Sequence, residues 1–144
     1  MKRFESRSAE ETFKIAQEFA KSLERGDVVA LSGDLGAGKT AFTAGIAAAL
    51  GVKESVTSPT FTIVNQYDGD ITLYHFDAYR LENVATSECD WMDDYLFGDG
   101  ISIIEWAENI TAVLPKNYIN IRIEKVPEKG DNFREIIIDE EKNL

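Results

Sequence analysis

The chain carries one cysteine, Cys89, and one histidine, His75, and each scarcity excludes chemistry. A lone cysteine closes no intramolecular disulfide and builds no multi-cysteine zinc site, so a reducing cytosol is the expected setting. No apolar run approaches the ~18 residues of a membrane span. The opening Met1-Lys2-Arg3-Phe4-Glu5-Ser6 turns polar at once and lacks the apolar centre of a signal peptide. The expectation is a cytoplasmic protein without membrane contact. Positive charge is also short: 15 Lys and Arg stand against 26 Asp and Glu, a net charge of −11. Such a surface repels a phosphate backbone and disfavours direct binding of RNA or DNA. Internal repeats and low-complexity linkers are absent.

What is present suits an ordinary globular chain. At 144 residues, 44% hydrophobic and 28% charged, residues 1–144 are expected to form one domain around one core. Ser8 and Glu11 have capping-box spacing, and Ile15, Ala16, Phe19, Ala20 and Leu23 recur at helical intervals, so a first helix is predicted over about 9–24. Val28 to Ser32 reads as a buried central strand, followed by a glycine-rich turn and an alanine-rich helix to Leu50. Phe61 to Tyr67 and Ile71 to Phe76 flank Asp68-Gly69-Asp70 as a hairpin, and Tyr118 to Val126 and Phe133 to Asp139 form a second around residues 127–132. Residues 84–97 are predicted helical, 101–105 a buried strand, and 106–114 a short helix closed by Pro115.

Between the first strand and its helix stands Gly33-Asp34-Leu35-Gly36-Ala37-Gly38-Lys39-Thr40, which matches G-x-x-x-x-G-K-[ST] in the right context. Glycines let backbone N–H groups curl around phosphate oxygens, and the helix N-terminus adds a positive dipole end. Lys39 is predicted to reach the β/γ-phosphates and the Thr40 hydroxyl to bind Mg²⁺. The nucleotide-binding set is therefore Gly33, Asp34, Leu35, Gly36, Ala37, Gly38, Lys39, Thr40 and the adjoining Ala41, with ATP and Mg²⁺ as cofactors.

Glu105 ends one apolar strand and Asp77 another, and a carboxylate at the C-terminal edge of such a sheet faces the metal and the attacking water. Either acid qualifies as a metal ligand, so Lys39, Asp77 and Glu105 form the catalytic set, and Thr40, Asp77 and Glu105 the metal set. His75 shares a strand face with Asp77 and reads as a packed or hydrogen-bonded structural residue. Trp106 has two readings, a ring beside the nucleotide or a common junction aromatic. Ser58 to Thr62 suits a loop that senses the γ-phosphate, and equally a strand entry. Glu128-Lys129-Gly130-Asp131 imitates part of a guanine-reading motif but lacks its leading residue and falls in a hairpin turn, which leaves adenine the better base.

Four blocks, Gly-Asp-Leu-Gly-Ala-Gly-Lys-Thr (33–40), Thr-Ser-Pro-Thr-Phe-Thr (57–62), Tyr-His-Phe-Asp-Ala-Tyr-Arg-Leu (74–81) and Ile-Ile-Glu-Trp-Ala-Glu (103–108), stand in an order and spacing that strongly resembles the TsaE (YjeE) family of bacterial ATPases. The likeness covers about residues 8–126. It implies an α/β P-loop fold with a mixed, mainly parallel sheet, flanking helices and antiparallel hairpins. It further implies an ATPase partner of TsaB and TsaD in making N6-threonylcarbamoyladenosine at position 37 of tRNAs reading ANN codons, with tRNA met only through the complex. The carbamoyl transfer itself belongs to TsaD, and the ATPase supports repeated turnover. Carried over, the resemblance puts Lys39 on phosphate, Thr40 and Asp77 at Mg²⁺, Glu105 in catalysis or at metal, and Trp106 beside the site. Glu88-Cys89-Asp90-Trp91-Met92 departs from the leucine- and glycine-containing turn frequent in relatives, which bears on local packing. A small-molecule P-loop kinase is the competing reading, though the chain has little length for an acceptor lid and no arginine cluster.

Overall fold

The computed structural model describes residues 1–34, 36–57, 64–81, 86–96 and 98–140. Among them run β1 (Lys2–Ser6), α1 (Ala9–Ala20), β2 (Val28–Gly33), α2 (Lys39–Ala49), β3 (Val64–Tyr67), β4 (Leu73–Asp77), α3 (Asp93–Leu96), β5 (Ile101–Glu105), β6 (Ile119–Lys125) and β7 (Arg134–Asp139). The strands form one sheet in the order β1-β7-β6-β2-β5-β4-β3. Its centre, β6, β2, β5 and β4, is parallel. Antiparallel strands close both sides, β3 on β4, β7 on β6, and β1 on β7. Both expected hairpins are present, while Phe61 to Ile63 of the first lie outside the described residues.

Period-two alternation splits the central strands between two cores. Val29, Leu31, Ile101, Ile103, Ile121 and Ile123 join Phe19, Phe42 and Ile46 of α1 and α2 on one face. Val28, Ala30, Phe76 and Ile104 join Met92, Leu96 and Ile110 on the other. Strands covered on both faces need near-continuous apolar runs, as 28–31 supply and 101–104 supply with the buried Ser102 as the single interruption. The two helices of the first face touch closely at Gly45, where an added Cβ would run into the Phe13 carbonyl and stand 2.6 Å from the Ala16 methyl.

Several boundaries differ from expectation. The N-terminal residues, polar in sequence, form the edge strand β1, whose first four residues are exposed and so show no alternation. The α1 helix ends at Ala20 and not near 24, because Ser22 Oγ donates to the Phe19 carbonyl (2.8 Å) and i→i−3 bonds tighten the chain into a turn. At its start the Ser8 hydroxyl accepts from Glu11 N–H, but the Glu11 carboxylate accepts from Arg7 N–H, one residue before the position a capping box uses. Of the stretch 84–97 predicted helical, residues 84, 85 and 97 lie outside the described ones, and the rest forms a 3₁₀ turn at Thr86–Met92 and then the single-turn α3, in place of one helix. Trp91 in this stretch lies edge-on to Tyr95 and beside Phe76. The helix after β5 is likewise 3₁₀, Ala107–Val113, kinked at Ile110 and ending before Pro115. Among the described residues no helix is long and apolar enough to cross a membrane.

Candidate functional site

β2 delivers the chain to the glycine-rich turn, where Ala37 N–H bonds to the Asp34 carbonyl at 2.9 Å. Gly38 then stands as the α2 N-cap with φ of 110°, a left-handed conformation that side chains resist, so glycine at this position is a backbone requirement. Lys39 and Thr40 open the helix with their N–H groups turned toward its mouth, and the Thr40 side chain is exposed. From the other flank Arg134, first residue of β7, donates to the Ala37 carbonyl (3.0 Å) and the Gly36 carbonyl (3.2 Å). Tying these carbonyls outward leaves the turn's donors for an anion. The Lys125 ammonium also lies close to Gly36, 3.4 Å from where a Cβ there would stand.

β4 and β5 are parallel neighbours in which Asp77 pairs with Glu105, so the two strand-ending carboxylates emerge side by side on the face that carries α2. Asp77 Oδ1 accepts Tyr79 N–H at 2.9 Å. Glu105 is buried; its Oε1 lies 3.5 Å from Lys39 Nζ and its Oε2 2.6 Å from His75 Nε2. Burial alone would raise the Glu105 carboxyl. The His75 hydrogen bond, the positive edge of that imidazole and the Lys39 ammonium outweigh it and hold the group below its ordinary value. Glu105 is therefore a carboxylate at neutral pH.

Trp106 follows in a left-handed conformation (φ 60°, ψ 37°), the only positive φ among the described non-glycine residues. Such a backbone costs an aromatic residue about 1–3 kcal/mol and persists where its surroundings hold it. Here the indole meets Tyr79 edge-on at 5.0 Å and has the Lys39 ammonium 5.5 Å from its ring centre. Asn109 Nδ2 donates to the Ala78 carbonyl at 3.0 Å, fastening the post-β4 turn to the segment after Trp106.

Gly36, Gly38, Lys39, Thr40, Asp77, Glu105 and Trp106 line one cavity of about 440 Å³. Gly33 and Asp34 lead into the turn, and Ala41 lies in the first turn of α2 without lining this cavity. Ala37 lines a smaller hollow on the turn's other flank with Ser8, Thr12, Asn132 and Arg134. Leu35 and Ser58 to Thr62 fall outside the described residues. Trp106 lies at the wall of the cavity that holds Lys39 and Glu105. Arg134 went unrecognised in sequence, since nothing local links β7 to a turn about a hundred residues earlier. The contact of His75 with Glu105 was equally hidden, although its buried, hydrogen-bonded character was expected.

The donors around this cavity are a hydroxyl and two carboxylates, hard oxygen ligands that suit Mg²⁺. Among the described residues no group of three or more His, Cys, Asp and Glu side chains forms a metal cage.

Comparison with known proteins points to one family. The family model described as threonylcarbamoyl adenosine biosynthesis protein TsaE matches residues 6–136. The tRNA threonylcarbamoyladenosine biosynthesis protein TsaE of Bacillus subtilis is 47% identical over 128 residues, 88% of this chain and 78% of that protein. The protein of the same name from Treponema pallidum is 39% identical over 133 residues, 92% of this chain and 96% of the other. The crystal structure of Bacillus subtilis YdiB superposes with a TM-score of 0.74 at 39% identity, covering 94% of this chain and 82% of that one. A P-loop α/β fold, a match over nearly the whole chain and relatives well above 30% identity lead to one conclusion: this chain belongs to the TsaE family.

Proposed function

We propose that this chain binds Mg-ATP at the 33–40 turn and hydrolyses it, as the ATPase that supports TsaB and TsaD in forming N6-threonylcarbamoyladenosine at position 37 of tRNAs reading ANN codons. The observation that carries the reading is the convergence of Lys39, Thr40, Asp77 and Glu105, from three separate elements, on one cavity at the C-terminal edge of the parallel strands. The relatives' names support the pathway, and they speak for this role over a small-molecule kinase.

In this reading Lys39 leaves Glu105 for the β/γ-phosphates, and the turn's N–H groups take the phosphate oxygens. Thr40 and Asp77 would hold Mg²⁺, which when bound would neutralise charge on the phosphates. Glu105 Oε1, released by the lysine, would orient the attacking water or help to hold the ion. Trp106 walls the cavity and limits water access. The net charge of −11 makes tRNA contact indirect, through the partners, and the cytoplasm is the place of action.

The test is single-turnover hydrolysis with and without purified TsaB, TsaD and tRNA, together with partner affinity in ATP and in ADP. Slow hydrolysis that accelerates on partner binding is expected. An unchanged rate with equal affinity in both nucleotides refutes the role in the complex.

A further inference from the structure

His75 takes no part in the phosphate chemistry proposed above, yet it is wholly buried and touches its central carboxylate. It sits on β4 two residues before Asp77, on the same face, with Ile103 as its register partner on β5. From there Nε2 reaches sideways and forward to Glu105 Oε2 at 2.6 Å. An ionised carboxylate only accepts, so the imidazole N–H is the donor.

We infer that His75 is a positioning residue for Glu105: it pins one carboxylate oxygen within the sheet and leaves the other as the one the pocket can use. The inference rests on the proposed working role of Glu105. Its geometric basis is the division of labour between the two oxygens, Oε2 on His75 and Oε1 facing Lys39 at 3.5 Å.

A space-filling role explains the residue poorly. His75 Nδ1 is buried without a hydrogen-bond partner, a penalty that leucine or phenylalanine at the same place would avoid. The imidazole is thus a costly filler but a good hydrogen-bond donor. Without it, the Glu105 side chain is free to turn both oxygens onto Lys39 or to swing toward the cavity mouth. With it, the carboxylate engages through a single oxygen, and loss of the lysine to an incoming phosphate is enough to free that oxygen.

The chain's single histidine makes the test direct, because the imidazole ¹⁵N spectrum of the full-length protein has one set of signals. The wild type is expected to show an Nε2 proton shifted downfield and slow to exchange, and Glu105→Ala to remove both features. In single-turnover hydrolysis, His75→Phe is expected to lower the maximal rate about 10–100-fold, the usual effect of removing a residue that orients a working ligand. The ATP concentration for half-maximal rate should change less than about threefold, and His75→Gln, which keeps an N–H donor at similar reach, should restore most of the rate. On a Glu105→Ala background, His75→Phe should add nothing. A folded His75→Phe variant with normal rate, beside a crippled Glu105→Ala, overturns the inference while leaving the nucleotide site standing. So do losses that multiply. If Glu105→Ala itself turns over normally, the proposed role of Glu105 fails instead. An Nε2 proton that exchanges rapidly and is indifferent to Glu105→Ala overturns the positioning contact whatever the kinetics show. Should His75→Phe fail to fold, His75→Gln and the spectrum carry the same decision.

Discussion

Glu105→Gln keeps the side chain's shape and an acceptor for His75 but deletes the charge opposite Lys39. In the structure that lysine stands 3.5 Å from Glu105 Oε1, with the two side chains 13% and 8% exposed, so a nucleotide must compete with an existing ion pair. With an effective dielectric constant of about 20, the gross attraction at this separation is ~5 kcal/mol. Most of it is recovered as phosphate replaces the carboxylate and as water enters the open mouth around the separating groups. A residual competition of about 1–2 kcal/mol, comparable to a charged hydrogen bond after solvent exchange, corresponds to roughly 5–30-fold in affinity. ADP without Mg²⁺ should therefore bind Glu105→Gln tighter than wild type by that factor. With Mg²⁺ present the gain should shrink or reverse, because the lost carboxylate is one the ion or its water shell would use. Calorimetric titration of ADP in EDTA and in Mg²⁺ reads both limbs. Metal-free affinity equal to wild type, or weaker, refutes the idea that Glu105 holds Lys39 in reserve.

Lys39→Ala should nearly abolish single-turnover hydrolysis in a folded protein, since charge neutralisation and positioning account for most of phosphoryl-transfer catalysis. Near-normal turnover would exclude this turn as the catalytic site. Asp77→Ala and Glu105→Ala should each lower activity with strongly non-additive effects, because their register pairing puts them in one cluster. A double-mutant loss equal to the product of the single losses would separate them. Gly45→Ala gains about 1 kcal/mol of helix propensity, but its methyl meets the Phe13 carbonyl, the Ala16 methyl and the Gln17 backbone. Overpacking of ~1–3 kcal/mol should win, and a denaturant midpoint at or above wild type would show that α1 yields freely. The Glu105 carboxyl is lowered in the folded state, so the unfolded chain binds its proton more readily. Its contribution to stability is full above the ordinary value near 4.5 and is lost as pH falls below it. Chemical unfolding across that range should show a shallower acid decline in Glu105→Gln, and identical declines would argue against the shift.

The legible parts of this molecule are those whose signal is local. The 33–40 turn, the runs 28–32 and 101–105, and both hairpins carry their own glycines, alternation or turn residues, and the structure has them close to where they were expected. What escaped depends on residues far apart in the chain. β1 is exposed on both sides for four residues and owes its strand state to β7, more than a hundred residues away. Arg134 reads as an ordinary strand-start cation until the fold lays it against Gly36 and Ala37. Asp77 and Glu105 were recognisable as strand ends, but only the parallel β4–β5 pairing makes them neighbours, and the same register brings His75 under Glu105. The helix expected over 84–97 failed differently: the 3₁₀ turn at Thr86–Met92 is fixed by burial of Cys89 and Met92 against the second core, not by a strong helical repeat.

The charge arrangement around the cavity bears on why such an ATPase would depend on partners. Among the described residues that line it, Lys39 is the only cation, facing the carboxylates of Asp77 and Glu105. Arg134 is committed to the Gly36 and Ala37 carbonyls, Lys125 lies close to Gly36 without lining the cavity, and Arg80 is exposed and likewise does not line it. On the proposed reading, negative charge developing at the γ-phosphate meets one lysine and one bound ion, with no arginine supplied by the described cavity wall. A cation delivered from outside raises NTPase rates by roughly 10³–10⁵ in well-studied cases. Trp106 at the cavity wall is exposed and meets the exposed Tyr79 edge-on, and aromatic faces attract guanidinium groups. On the proposed reading, slow hydrolysis in the free protein and faster hydrolysis in the complex are the outcomes expected of a described cavity wall that sets one cation, Lys39, beside two carboxylates.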